Sequence, residues 1–197
     1  MSELLEEIRT REEELAEAIK TQEVACLYRL DGRKVKFEKS VKAIHRRLKV
    51  GLIPWLRESQ LRNVATAPII YLMLIPFLLL DLSISIYQLL CFPLYRIAKV
   101  RRRKSIVVDR YHLSYMNSIE KLNCTYCGYV AGLLAYSREI VARTEQYWCP
   151  INHARQILEP HGRYAHFADF GDADGYHQHA KSMRAQLVSS NSKDSPD

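Results

Sequence analysis

Hydrophobic residues are concentrated in one long stretch in the middle of the chain. Between residues 63 and 95 the only charged residue is Asp81. One straight helix over this stretch would be about 50 Å long, well beyond the ~30 Å hydrocarbon core of a bilayer. We therefore expect the stretch to tilt, to extend into the headgroup layer or to bend, and Pro76 and Pro93 offer places for a bend.

Two membrane topologies follow from this stretch. In a single crossing, the more basic C-terminal side would lie in the cytosol. In a re-entrant helix pair, residues 63–80 enter, the chain turns near residues 81–85, and residues 82–95 return. We favour the helix pair, because a single crossing would translocate the cation-rich residues 33–62. Asp81 would cost roughly 2.5–3.5 kcal/mol if it faced lipid.

Basic residues lie on both sides of the apolar stretch. The chain has a net charge of +7. The cations before the stretch are Arg33, Lys34, Lys36, Lys39, Lys42, Arg46, Arg47, Lys49, Arg57 and Arg62, and those after it are Arg96, Lys99, Arg101, Arg102, Arg103 and Lys104. Anionic lipid headgroups attract such clusters, by roughly 1 kcal/mol for each Lys or Arg. We expect a lipid bilayer with anionic headgroups as partner. Nucleic acid is disfavoured, because no recognisable nucleic-acid-binding module accompanies the charge.

The rest of the chain is predicted to be mainly α-helical. An acidic start without a signal-peptide pattern indicates the cytoplasmic (inner) membrane, with the soluble parts mainly in the cytosol. The amphipathic N-terminal helix offers a surface for a protein partner or for self-association, and Asp31-Gly32 predicts the turn of a short β-hairpin. The predicted segments are an amphipathic helix over 1–25, a basic hairpin and helix over 26–62, the membrane segment over 63–95, a helical Cys/His domain over 96–188 and a disordered tail over 189–197.

A cysteine–histidine pattern follows the membrane segment. Cys124 and Cys127 form a C-x-x-C pair, and Cys149 and His153 form a second pair four residues apart. Three thiolates and one imidazole suit a closed, tetrahedral structural zinc site. Such a site requires the chain between the two pairs to double back, and Gly128 and Gly132 are the candidate hinges. The pattern predicts a small helical domain stapled by zinc.

A continuous helix between the two pairs would favour a different chemistry. Cys124 and Cys127 at a helix N-terminus would have a lowered thiol pKa and form a redox-active pair. At the other end of a helical hairpin, Asp109 and His112 would approach Glu139 and hold a metal with an open coordination position. Either arrangement would make the protein a membrane-bound redox or metal-dependent enzyme.

Two motifs resemble those of a known family. One is N-C-x-Y-C at residues 123–127, and the other is R-T-E-Q-Y-W-C-P-I-x-H at residues 143–153. With the apolar runs at 75–82 and 87–93, they resemble an uncharacterised family of small bacterial membrane-associated proteins. The resemblance covers about residues 68–154 and implies kinship without implying a reaction.

Taken together, these patterns predict a non-enzymatic protein. We expect a membrane-attached adaptor or assembly protein whose cytosolic helical domain carries the structural zinc site. The membrane-bound enzyme is the alternative hypothesis.

Overall fold

The structure is a computed structural model, and the protein is mainly helical, as predicted. The structure describes residues 28–31 and 34–193, together with positions 10, 11, 14, 15, 17, 18 and 21. The elements in chain order are β1 (Tyr28–Asp31), β2 (Lys34–Phe37), α1 (Lys39–Arg47), α2 (Leu52–Glu58), α3 (Leu61–Leu72), α4 (Leu74–Leu94), α5 (Arg102–Ser105), α6 (Ser118–Trp148) and α7 (Tyr176–Lys193). Short 3₁₀ turns lie at Arg110–His112 and Tyr164–His166.

The chain divides into two compact units. The first comprises residues 1–60 and 108–125, and the second comprises residues 61–107 and 126–197. Helix α6 begins in the first unit and continues into the second.

The first unit contains the hairpin that was predicted around Asp31. Strands β1 and β2 pair in antiparallel fashion, with Tyr28 opposite Phe37. The ring of His45 contacts both Phe37 and Tyr115, with centroids 5.3 and 5.1 Å away. The described positions between 10 and 21 are helical, and the remainder of the predicted N-terminal helix lies outside the described residues.

Helix α6 begins at a capping box. The Asn117 side chain accepts a hydrogen bond from the Glu120 backbone N–H at 3.0 Å, and the Glu120 carboxylate accepts one from the Asn117 N–H at 2.8 Å. These bonds satisfy two backbone donors that a helix start leaves unpaired. The helix then runs without interruption to Trp148. The chain reversal that the zinc hypothesis requires is therefore not formed.

Gly132 is not a hinge but a point of close packing between α6 and the segment that precedes it. A Cβ atom at this position would lie 2.7 Å from both the Ile106 Cα and the Ser105 carbonyl oxygen. The segment of residues 96–107, which we call the return segment, therefore approaches α6 more closely than any side chain would permit. At Gly128 the same segment is less tight, because a Cβ would lie 3.3 Å from the Val107 carbonyl oxygen.

The apolar stretch forms two helices that meet at Met73. In a continuous helix the carbonyl of Leu72 would accept a bond from residue 76, but Pro76 has no N–H to donate. Helix α3 ends at Leu72 and α4 starts at Leu74, so the break lies one turn before the proline. Helix α4 continues through residues 81–85, where the re-entrant interpretation places a turn.

The second unit has a hydrophobic core between α4, the return segment, α6 and α7. Its buried members are Phe92, Ile97, Val100, Leu133, Tyr136, Ile140 and Leu187. Leu187 belongs to α7, which extends to Lys193. Residues 189–193 are thus helical where we predicted a disordered tail, and residues 194–197 lie outside the described part of the chain.

Candidate membrane-docking surface

Helices α3 and α4 carry a bare hydrophobic surface, which we call the apolar ridge. Its exposed side chains are Leu61, Val64, Ile69, Ile70, Leu72, Met73, Ile75, Leu78, Leu79, Leu82, Ile86, Leu89, Leu90 and Leu94. Leu61 is 84% exposed and Leu94 is 79% exposed. No residue of α3 is buried. Contiguous apolar surfaces of this kind usually mark a site that contacts a membrane or another protein.

The ridge coincides with one membrane-span candidate. Among the residues that the structure describes, Leu61–Leu94 is the helical stretch long and apolar enough to cross a bilayer, and an 18-residue window within it has a mean hydropathy of 2.3. An apolar helix in the core of a soluble protein would be mostly buried, whereas only 6% of this window is buried. Length and composition therefore weakly suggest that the protein associates with a membrane.

The opposite face of α4 is packed and partly polar. Phe92 is 1% exposed, and the two polar residues Asp81 and Gln88 are each 7% exposed. Asp81 and Gln88 are two helical turns apart, so they lie on the same face. Helix α4 thus has an apolar face towards the exterior and a face with specific polar contacts towards the protein.

Asp81 is held by three side chains. Arg102 of the return segment donates to Asp81 Oδ2 at 2.5 Å, and the Tyr129 hydroxyl donates to the same oxygen at 2.6 Å. Ser85, one turn further along α4, donates to Oδ1 at 3.4 Å. Because the carboxylate is paired inside the fold, the cost predicted for a lipid-facing Asp81 does not arise.

The hydrogen bond to Asp81 changes the chemistry of Tyr129. Burial, followed by the hydrogen bond to Asp81 and its negative charge, raises the pKa of the Tyr129 hydroxyl to about 12. The hydroxyl therefore stays protonated at neutral pH and acts as a donor.

The Gln88 side chain forms hydrogen bonds that join the return segment to α4. Its side-chain oxygen accepts from the Val100 backbone N–H at 2.7 Å, and its amide nitrogen donates to the Tyr136 hydroxyl at 2.9 Å. The same nitrogen lies 3.4 Å from the Val100 carbonyl oxygen. One glutamine therefore joins α4, the return segment and α6.

The basic cluster that follows the apolar stretch lies beside α4. Val100 bonds to Gln88 and Arg102 bonds to Asp81, so the return segment runs back along the helix. Arg101, Arg103 and Lys104 are exposed at this level. From the sequence, these cations are expected to form a flank beyond the end of the helix. The fold places them next to its middle.

The predicted zinc ligands are distributed along α6 and beyond it. Cys124 is half-buried, whereas Cys127 and Cys149 are exposed. Cys127 and Cys149 are 22 residues apart in sequence, and the uninterrupted helix that runs between them to Trp148 spans about 33 Å over that distance. In this structure the two cysteines do not meet, and the geometry lends no support to zinc coordination by the four residues.

The second predicted pair is not helical. After Trp148 the chain continues as a short extended segment: the Asn152 N–H donates to the Ala168 carbonyl at 2.7 Å, and the Ala168 N–H donates to the Pro150 carbonyl at 2.9 Å. The His153 ring stacks on Tyr164 with centroids 6.1 Å apart. Cys149 and His153 are therefore not one helical turn apart on a common helix face.

The two cysteines of the redox hypothesis do not lie at a helix N-terminus. Helix α6 starts at Ser118, so Cys124 and Cys127 lie in its second and third turns. The electrostatic effect of a helix terminus falls off within the first turn. Within the described residues, no group of three or more His, Cys, Asp or Glu side chains could hold a metal ion.

Glu139, the third candidate of the enzyme hypothesis, has structural partners. It accepts hydrogen bonds from Arg143 and Arg163, each at 2.9 Å. Burial alone would raise the pKa of the Glu139 carboxyl, but these hydrogen bonds and the positive charges of the two arginines lower it below its usual value. Arg163 also donates to Gln146 at 2.6 Å, so the cluster ties the loop before α7 to α6. Asp109 and His112 lie in the first unit, at the short turn before α6.

Comparison with protein-family models, curated proteins and solved structures finds no match. The family resemblance of the two motifs therefore stays an expectation from the sequence.

Proposed function

We propose that this protein is a membrane-attached adaptor or assembly protein of the cytoplasmic membrane. The apolar ridge of α3 and α4 inserts into lipid and the rest of the second unit is presented above it. The observation that carries the proposal is the exposure of the ridge, which leaves a row of large aliphatic side chains in contact with solvent unless lipid covers them.

The polar contacts of the second unit support a structural role. Asp81, Gln88 and Glu139 are buried or half-buried polar residues, and each bonds to at least one other segment of the chain. Glu139 belonged to the enzyme hypothesis, and its carboxylate is engaged by two arginines. Groups that hold helices together in this way suit a rigid platform better than an open reactive centre.

Flotation with vesicles tests the proposal. The full chain, purified in detergent and mixed with phosphatidylcholine vesicles containing phosphatidylglycerol, is expected to float with the lipid after detergent removal. The variant Leu78→Glu/Leu82→Glu/Leu89→Glu adds three charges to the ridge and is expected to lose most of this binding.

A matched control places the same number of charges on exposed aliphatic residues off the ridge. Leu134, Val141 and Leu158 are exposed on α6 and the following loop, and their replacement by glutamate should leave flotation unchanged. Recovery of the wild-type chain in the lipid-free fraction, or equal losses in both variants, would contradict the proposal.

A further inference from the structure

We propose that α4 lies in the plane of the membrane, with the apolar ridge in one leaflet and the cations of the return segment at its anionic phosphates. This proposal rests on the proposed membrane attachment and specifies its geometry and lipid class. Both ends of α4 then lie on the same side of the bilayer, although the helix is about 32 Å long and would suffice to cross it.

The first argument is the level of the Asp81–Arg102 pair. Asp81 lies about 10 Å from the N-terminal end of α4, and Gln88 lies about 21 Å from it. The return segment is bonded at both levels, through Arg102 and Val100. In a helix perpendicular to the membrane, these residues and the exposed Arg101 would occupy the middle of the hydrocarbon, where cations are strongly disfavoured.

Helix α6 gives a second, independent argument. It runs alongside α4 in the same direction, since Tyr129 bonds to Asp81 and Tyr136 bonds to Gln88. Arg138, which follows Tyr136 after one residue, is exposed. A crossing α4 would carry this arginine into the bilayer as well. An in-plane α4 leaves it in water.

The distribution of side chains on α4 agrees with this orientation. Exposed aliphatic residues recur along its entire length on one face, from Ile75 to Leu94, and buried residues recur on the other, from Asp81 to Phe92. This arrangement allows the whole length of α4 to contact one leaflet while its other face packs on the protein.

Charge complementarity selects an anionic lipid surface as the occupant of the ridge. Between the end of α4 and the end of α5 the chain contains Arg96, Lys99, Arg101, Arg102, Arg103 and Lys104, and no acidic residue. All six are exposed. Phosphate groups of one leaflet would attract these cations, of which Arg102 is already paired with Asp81, while the neighbouring ridge enters the acyl chains.

Depth measurements along the ridge test the orientation. In the full chain with its native cysteines replaced, a nitroxide is attached to a single cysteine at Ile75, Leu78, Leu82, Ile86 or Leu89. With vesicles of phosphatidylcholine and phosphatidylglycerol, we expect all five labels to report one similar, shallow depth. In a crossing helix Ile75, Leu82 and Leu89 would follow one another at intervals of about 10 Å along the bilayer normal, and the resulting spread of depths would overturn the proposal.

Two further outcomes separate this proposal from the proposed function. Labels that are shielded from both lipid-soluble and water-soluble relaxation agents would show a protein on the ridge, such as a second copy of the chain, and would overturn the lipid assignment. Failure of the labelled wild-type chain to float at all would instead overturn the membrane attachment itself.

The cationic contribution is tested by charge removal. We expect Arg103→Gln/Lys104→Gln to weaken binding to phosphatidylglycerol-containing vesicles several-fold, and to leave weak binding to pure phosphatidylcholine unchanged. The control Arg155→Gln/Lys181→Gln removes two exposed cations elsewhere in the second unit. Equal effects of the two double variants would show that only the net charge of the protein matters. This result would overturn the proposal that the return segment contacts the lipid phosphates.

Discussion

The two faces of α4 differ in solvent exposure and in polarity. The packed face contains Asp81, Gln88 and Phe92, each with partners on the return segment or α6. The bare face contains exposed aliphatic residues, among them Leu78, Leu82 and Leu89. If both faces contacted lipid, the polar residues would be costly; if both contacted protein, the bare residues would be buried. The difference indicates two distinct environments: protein on one side and, under the proposed membrane attachment, lipid on the other.

The largest expected difference between the faces is in stability. Phe92 is almost fully buried, so Phe92→Ala should lower the free energy of unfolding by about 3–5 kcal/mol. Leu89→Ala, on the bare face, should change it by less than about 0.5 kcal/mol. Urea unfolding in mild detergent, followed by circular dichroism, measures both. Similar losses for the two variants would break the comparison.

A smaller loss is expected when the partner of Asp81 is removed. Arg102→Ala leaves a buried carboxylate with only hydroxyl donors, and we expect a loss of about 2 kcal/mol, since Arg102 itself is half-exposed. Lys104→Ala, in the same short helix, should cost less than about 0.5 kcal/mol. If Asp81→Asn fails to reduce the effect of Arg102→Ala in a double-mutant cycle, the two residues do not act as a pair.

The smallest effect concerns Tyr129 and alkaline pH. Its pKa is near 10 in the unfolded chain and about 12 in the folded protein. The stabilisation is therefore fully present below pH 10 and is lost as the pH rises through 12. Tyr129→Phe should cost about 1 kcal/mol at neutral pH and weaken this alkaline dependence. Absorbance titration of tyrosinate checks the pKa, and an unchanged alkaline profile in the variant would contradict the role of the hydroxyl.

The helical class and the apolar stretch could be predicted from the sequence, because both depend on local pattern. The partner of Asp81 could not be predicted, since Arg102 is 21 residues away and meets it only after the chain turns back. For the same reason the basic run was assigned to a flank beyond the helix.

The candidate zinc site shows a different limit. Spacing placed Cys124, Cys127, Cys149 and His153 in two plausible pairs, and glycines were interpreted as hinges. Gly132 is needed for close packing within a helix instead, a role that spacing does not reveal. The capping box at Asn117 and Glu120 was a usable signal for the helix start and was missed. Zinc binding stays a prediction, which metal analysis of the purified protein would test.

Photolabelling from within the bilayer tests the central claim most directly. Vesicles that contain a phospholipid with a diazirine on its acyl chain are illuminated with the bound full-length protein, and the adducts are located by mass spectrometry. We predict adducts at exposed positions of α3 and α4, including Leu78, Leu82 and Leu89, and none at Phe92. An absence of adducts between residues 61 and 94, or equal labelling of both faces of α4, would contradict the account.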